Sequence, residues 1–383
     1  MQSREQGVEQ VVIVGAGPCG LALARQLKHQ RGIDALVVDR EKAPASSWRK
    51  RYDGFRLNTC GYWSHLPGQR VPRRHGRWPG RDDMVDYFDD YAVRQGLRLR
   101  LGVSATRLDN DPRGWRITND HETLYATAVV LAMGNYRTPV LPAWPGAEEF
   151  TGELLHAVDY LNAASFAGRD VLVVGSGNSA TDIVLQLSDG VAGRVRMAVR
   201  TPPQLVPRAV AGIPVDAFSD LFVHLPVKVL DHAAALMRTV WVGDLSAKGL
   251  SAPGQGIYTA LREDGRIPTL GDRLVPKIKD GSIEVVAAVD SLSGAGVRLA
   301  DGTTIQPDVV IAATGYRPGL EPIVEHLGVL DSDGEPTVNG SPGAAPGLWF
   351  AGYEEPLVGP LRSFRRTASG LAADVAAYLA EVD

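Results

Sequence analysis

Val11-Val12-Ile13-Val14-Gly15-Ala16-Gly17-Pro18-Cys19-Gly20 carries the reading that decides the fold. A β-branched run stops at Gly15, the first of three glycines with the spacing G-x-G-x-x-G, and residues 21–27 (LALARQL) continue with helical spacing. A strand, a tight turn and a helix in immediate succession are the setting this glycine pattern requires before it means dinucleotide binding. Gly15 permits the turn, Gly17 lets the backbone approach a pyrophosphate, and Gly20 lets helix and strand pack closely. The N–H groups at the helix start then face the negative phosphates. A second apolar run at 35–38 ends at Asp39 and Arg40, so the first forty residues make one βαβ unit. Asp39 stands where a carboxylate accepts hydrogen bonds from ribose hydroxyls and repels a 2′-phosphate. The site therefore suits FAD or NAD, and its place in the first of two such folds favours FAD.

The pattern recurs at 171–174 (VLVV), followed by Gly175-Ser176-Gly177-Asn178-Ser179-Ala180, a helical stretch at 183–187 and a strand at 196–199. Alanine is tolerated at the third glycine position. After this strand stand Arg200 and Thr201 in place of an acid. A guanidinium offers a planar fork of donors to a 2′-phosphate, which selects NADPH over NADH.

The chain has 383 residues, room for two or three domains of ordinary size. Apolar residues make up 44% and charged residues 22%, the balance of a globular enzyme that folds by burial. With 40 Lys and Arg against 44 Asp and Glu, the formal charge of -4 gives no field to draw in nucleic acid or an anionic membrane. No apolar run approaches the roughly 20 residues that cross a bilayer. Residues 1–10 lack the basic start and apolar stretch of a secretory signal, so a cytoplasmic protein is expected. Cys19 and Cys60 form no C-x-x-C pair, which leaves a dithiol reductase without an evident redox couple. H-E-x-x-H and G-x-S-x-G are both absent, so neither a metal site nor a serine hydrolase is expected.

Two apolar strands ending in small-residue turns, 129–134 (VVLAMG) and 309–315 (VVIAATG), bracket the second βαβ unit. They favour an α/β architecture of two Rossmann-like dinucleotide-binding domains, the NADPH domain inserted into the FAD domain. The expected boundaries are 1–150 for the first part of the FAD domain, 151–291 for the NADPH domain, and 292–383 for the second part. Pro139, Pro142 and Pro145 mark one crossing. Residues 202–270, with seven prolines, read as loops and short helices covering a substrate, and 367–379 as a helix.

Between the two nucleotide units, Phe150, Gly152, His156 and Tyr160 match F-x-G-x-x-x-H-x-x-x-[WYF]. On this fingerprint the chain resembles the class B flavoprotein monooxygenases: flavin-containing monooxygenases, N-hydroxylases and Baeyer-Villiger enzymes. Within them it is most similar to the plant YUCCA-type indole-3-pyruvate monooxygenases and their bacterial relatives. The likeness runs through Gly17-Pro18, Ser47-Trp48, Gly175 to Ser179, and Gly243-Asp244 through Leu250 to Pro276-Lys277-Ile278.

The resemblance implies that NADPH reduces bound FAD and that oxygen reaches a small organic substrate through a C4a-(hydro)peroxyflavin. Trp48 would pack near the flavin, Asn58-Thr59 would face it beside the nicotinamide, and Gly315 and Gly352 would lie on flavin- or nucleotide-contacting turns. His156 would position the linker and NADP rather than act as a base. Asn58 departs from the YUCCA pattern and is similar to the broader flavin-containing monooxygenases. The acceptor therefore stays open between a carbonyl or α-keto acid and a soft nitrogen or sulfur. An NADPH-dependent flavin reductase or oxidase without an oxygenated product is the reading of another class. The basic loop Arg70, Arg73, Arg74, His75, Arg77 and Arg81 reads either as a greeting for an anion or as a solvated surface. The sequence is silent between a monomer and a homodimer.

Overall fold

A computed structural model describes residues 7–120, 122–218, 225–354 and 359–382. Part of the polar N-terminal stretch read above (1–6) and part of the cover region (219–224) lie outside the described residues. The chain divides into two compact units: Met1–Lys50, Cys60–Thr138 and Tyr316–Asp383 form the first, and Arg51–Thr59 with Pro139–Gly315 the second.

The first unit is built on a sheet whose strands run in the order Arg98–Leu101, Leu36–Asp39, Val8–Val14, Thr123–Leu131, Gly114–Asn119 and Ala105–Asp111. The first four are parallel, and the last two return antiparallel as a meander. Strand Thr123–Leu131 changes partner along its length. Its start pairs with Gly114–Asn119, while Val129, Val130 and Leu131 pair in parallel with Leu348–Phe350. Val12, Ile13, Val37 and Val130 have no exposed surface, the run expected of strands covered on both faces. Each such side chain contributes roughly 1.5–3 kcal/mol. Helices Pro18–Gln26 and Pro360–Val382 pack together on one face, the latter through Leu371, Ala372, Val375 and Leu379.

In the second unit five parallel strands run in the order Glu284–Ala287, Arg194–Val199, Asp170–Val174, Val309–Ala312 and Glu153–His156, with helix Asn178–Ser188 on one face. Here the structure departs from the expected boundaries. Val309–Ala312 belongs to the second unit's own sheet, and the first unit resumes only at Tyr316 rather than at 292. An apolar run ending in small residues fits either parallel sheet. Pairing shows which one it joins: Val309–Ala312 lies between Asp170–Val174 and Glu153–His156, and Gly175 packs on Ala313 as Gly15 packs on Ala132. The segment Arg51–Thr59, expected in the first domain, also goes with the second unit. Within 202–270 the longest element is a fifteen-residue helix, Val227–Trp241. It begins just after Pro226, and no proline falls inside it.

Both first glycines are constrained in the same way. Gly15 (φ +117) and Gly175 (φ +130) lie in the left-handed half of backbone space, where an added Cβ would meet the carbonyl oxygen of Ala132 at 2.3 Å or of Ala313 at 2.4 Å. Gly175→Ala combines backbone strain with an overpacked contact and is expected to lower the thermal midpoint by roughly 5–10 °C. Gly177→Ala, with open space around its Cβ position, should shift it by about 2 °C or less. Equal midpoints in calorimetry would show that the Gly175 turn is not under this constraint.

Candidate functional site

In the first unit the turn joins strand Val8–Val14 to helix Pro18–Gln26. Gly17 is the helix N-cap in extended conformation (φ -74, ψ 175), and Pro18 occupies the first helical turn, where its missing N–H costs nothing. An added Cβ at Gly20 would lie 2.0 Å from the Gly15 oxygen, so this glycine is the helix-to-turn contact. A Cβ at Gly17 meets no protein atom within 4 Å. It would project into open space beside the helix start, a cradle suited to a diphosphate.

Asp39, half-buried at the end of its strand, accepts from the Ala16 N–H (2.7 Å) with one carboxylate oxygen and from the Glu41 N–H (2.9 Å) with the other. Its first duty is therefore to brace the glycine turn, and each oxygen keeps a further lone pair for a hydroxyl. Arg40 is exposed, 3.7 Å from Glu41. Ala45 donates from its N–H to the Ala16 oxygen (2.9 Å), which ties the short helix Ser46–Arg49 to the turn and sets Trp48 edge-on to Phe88. Beyond the strand Thr123–Leu131, the Asn135 side-chain oxygen and Arg137 Nε are buried with no partner among the described residues, while Arg137 Nη1 donates to the Gly319 oxygen at 2.6 Å. Desolvation depresses the Arg137 guanidinium, with Arg40 close enough to add to the effect. Such orphaned polar atoms fit a polar cofactor. The sequence reading missed both residues, although they directly follow the AMG turn that closes the cradle.

In the second unit Gly177 is again an extended N-cap (φ -79, ψ -178) with open space at its Cβ, and Ala180 is fully buried. Ser176 Oγ donates to the Thr201 oxygen at 3.0 Å, binding the turn to the end of strand Arg194–Val199. The Asn178 side chain is committed to the protein. Its Nδ2 donates to the Pro268 oxygen (3.0 Å) and its Oδ1 accepts from the Leu270 N–H (3.2 Å). Thr269 Oγ1 donates to the Ser176 oxygen (3.1 Å), so the segment at 268–270 is clamped over the turn. Ser179 is half-buried, and Arg200 and Thr201 are exposed. Among the described residues no carboxylate lies within ion-pair distance of Arg200.

The linker fingerprint resolves into contacts inside the second unit. Gly152 leaves room for the Phe150 ring, which an added Cβ would meet at 2.6 Å. His156 is buried at the end of its strand. Its Nδ1 accepts from the Val158 N–H and its Nε2 donates to the Gly315 oxygen, both at 3.1 Å. Burial lowers its pKa, so it stays neutral. Tyr160 stacks on Phe166 and donates from its hydroxyl to Gln186 (3.0 Å). His156 thus pins the Gly315 turn (φ +91) to the linker. Asn58 and Thr59 are half-buried at the end of the segment Arg51–Thr59.

Elsewhere in the first unit, Gly352 (φ +85) ends the strand Leu348–Phe350, and an added Cβ there would lie 3.0 Å from Cys19 Sγ. In the basic loop Arg70 lies over Tyr62, Arg77 over Trp78, His75 pairs with Asp83 and Arg81 with Asp82. These contacts supply partners within the protein. Among the described residues there is no cluster of metal-ligating side chains, and no helix is long and apolar enough to cross a membrane.

Residues 12–210 match the family model described as pyridine nucleotide-disulphide oxidoreductase. The chain is 34% identical over 334 residues to indole-3-pyruvate monooxygenase YUCCA1 of Oryza sativa subsp. japonica, covering 86% of this chain and 82% of that protein. The chain belongs to the class B flavoprotein monooxygenases. Its fold is that of a flavin monooxygenase from Stenotrophomonas maltophilia carrying two substitutions (TM-score 0.76, 24% identity, 97% of this chain and 99% of that one). The bacillithiol disulfide reductase of Bacillus cereus shares it too (TM-score 0.68, 19% identity, 97% and 99%). As a class B enzyme the chain is an FAD- and NADPH-dependent monooxygenase acting on a small molecule and oxygen.

The matched family model is described by disulphide chemistry, and thiol reactivity distinguishes that chemistry from oxygenation. Burial pushes the Cys19 thiol up to about 12. At pH 8 the thiolate, the reactive form, is then a small minority. Cys19 should alkylate with iodoacetamide more than about 100-fold slower than a free cysteine peptide, followed by mass spectrometry. Ordinary reactivity at Cys19 would reopen thiol chemistry.

Proposed function

We propose that the turn Gly15 to Gly20, braced by Asp39, seats the ADP half of FAD, and that the turn Gly175 to Ala180, with Arg200 and Thr201, seats NADPH. The observation that carries this is the contrast at equivalent strand ends. The first ends in a half-buried carboxylate tied to its own glycine turn, the second in an exposed guanidinium with no acid beside it among the described residues. A carboxylate accepts from ribose hydroxyls and repels a 2′-phosphate, whereas the guanidinium fork attracts one. Asn135 and Arg137 add an acceptor and a donor to the FAD side. Trp48, Asn58 and Thr59 serve at the flavin, and Gly315 and Gly352 keep the adjoining turns free of side chains. Bound FAD supplies the oxygen activation that no side chain offers.

For the substrate we favour an α-keto acid or ketone, the class to which the indole-3-pyruvate named for the plant relative belongs. Asn58 supports a second reading, transfer to a soft nitrogen or sulfur, because it follows the broader flavin-containing monooxygenases at that position. Among the described residues Cys19 and Cys60 form no disulfide, which supports action in the reducing cytoplasm. A monomer or a homodimer would serve equally, since each cradle is built from a single chain.

Arg200→Ala should raise the KM for NADPH by roughly 10- to 100-fold, the worth of one charge-assisted contact, and that for NADH by about threefold or less. Equal losses would remove the assignment of the second cradle. With 18O2, NADPH and indole-3-pyruvate, the product should carry one labelled oxygen. Stoichiometric peroxide with no labelled product from a panel of keto acids, amines and thioethers would favour an NADPH oxidase instead.

A further inference from the structure

The segment Arg51–Thr59 is attached by sequence to the first unit at both ends, yet its contacts bind it to the second. Tyr52 is buried, and its hydroxyl donates to Asp182 Oδ2 at 2.6 Å. The Asp53 N–H donates to the Leu161 oxygen (2.8 Å), Gln186 Nε2 to the Asp53 carbonyl (3.0 Å), and Asn162 Nδ2 to the Asp53 carboxylate (2.9 Å). The Tyr52 ring packs edge-on against Phe55 and Tyr160.

Asp182 and Gln186 are four residues apart on helix Asn178–Ser188 and so occupy one face of it. This is the helix whose N-terminus forms the second cradle. Its first turn faces the nucleotide, its next turn holds Tyr52, and the turn after that holds Asp53. The Tyr52–Asp182 bond is a deliberate expense in such a place. A carboxyl and a phenol taken out of water cost more than they return unless they bond to each other. Burial, with the carboxyl beside it, pushes the Tyr52 phenol far above its usual range and keeps it a donor. Burial also raises Asp182. Neither residue belongs to a glycine turn or to the linker fingerprint.

We propose that Tyr52 and Asp182 are a positioning pair whose hydrogen bond fixes the Asn58 loop to the nucleotide helix of the second unit, holding Asn58 in register with bound NADP. This rests on the reading of Asn58 given above. The pair touches no reacting atom. Its effect is on coupling, the share of NADPH oxidised that yields product instead of peroxide.

Tyr52→Phe removes the donor, Asp182→Asn keeps an acceptor for the phenol, and Asp182→Leu removes it. In the FAD-loaded protein, Tyr52→Phe and Asp182→Leu should raise peroxide released per NADPH by about tenfold, with KM for NADPH and FAD content within about twofold of the parent. Asp182→Asn should stay within about twofold in all three readings. Should Tyr52→Phe fail to fold, the two Asp182 variants decide, and equal coupling in both overturns the proposal. Asn58→Ala separates the pair from the reading beneath it. A coupled Tyr52→Phe beside an uncoupled Asn58→Ala overturns the pair alone. An uncoupled Tyr52→Phe beside a coupled Asn58→Ala overturns the pair's route and the role of Asn58 together. The double variant Tyr52→Phe, Asn58→Ala should be no less coupled than Asn58→Ala, and additive losses would show that the two act separately.

Discussion

The first N–H groups of helices Pro18–Gln26 and Asn178–Ser188 have no partner within their own helix, and much of each unit is arranged around that fact. Ordinary helices cover these groups with a serine, threonine or aspartate side chain. Here glycine stands at both N-caps, leaving the donors uncovered and available to a negative group. The requirement spreads outward. To bring a helix start so close to the strand before it, Gly15 and Gly175 adopt a positive φ that other residues rarely take, and each packs on the backbone carbonyl just past a neighbouring strand, that of Ala132 or Ala313. The same strand, glycine turn and uncapped helix start thus occur in both units, one on a mixed sheet and one on a parallel sheet.

What surrounds the cradles is mostly bracing. Asp39, Asn178 and His156 stand at positions that a motif search assigns to ligands, yet each spends its polar atoms first on the protein. Asp39 holds the glycine turn, Asn178 clamps 268–270, and His156, neutral and with both ring nitrogens engaged, locks Gly315 to the linker. A site that must present backbone amides at fixed distances needs rigid turns more than it needs additional ligands. That accounts for residues in the fingerprint of an oxygenase that do no chemistry of their own.

Strand, turn and helix at 11–27 and 171–187 could be read from the sequence because every cause involved lies within a few residues: β-branched runs, glycine spacing and helical periodicity. Asp39 and Arg200 also stand where the sequence puts them, a half-buried carboxylate at one strand end and an exposed guanidinium just past the other. Sheet membership could not be read this way. The run at 309–315 has the same local character as 129–134, and its place in the second unit lies in its pairing with Asp170–Val174 and Glu153–His156, more than a hundred residues away. Asn135 and Arg137 carry no sequence signal for a similar reason, because burial with no partner among the described residues is a property of three-dimensional surroundings. The helix Val227–Trp241 was obscured by prolines that in fact lie outside it.

The nine residues Arg51–Thr59 bear on modularity. Judged by connectivity, the second fold is a cassette that could be lifted out at 139 and 315 and transplanted. Judged by contacts it is not, because such a fragment would leave Tyr52 and Asp53 behind and expose the side of a helix that they cover. The borrowed loop makes the second unit discontinuous in sequence, and recombination between relatives must exchange both stretches at once to keep it whole.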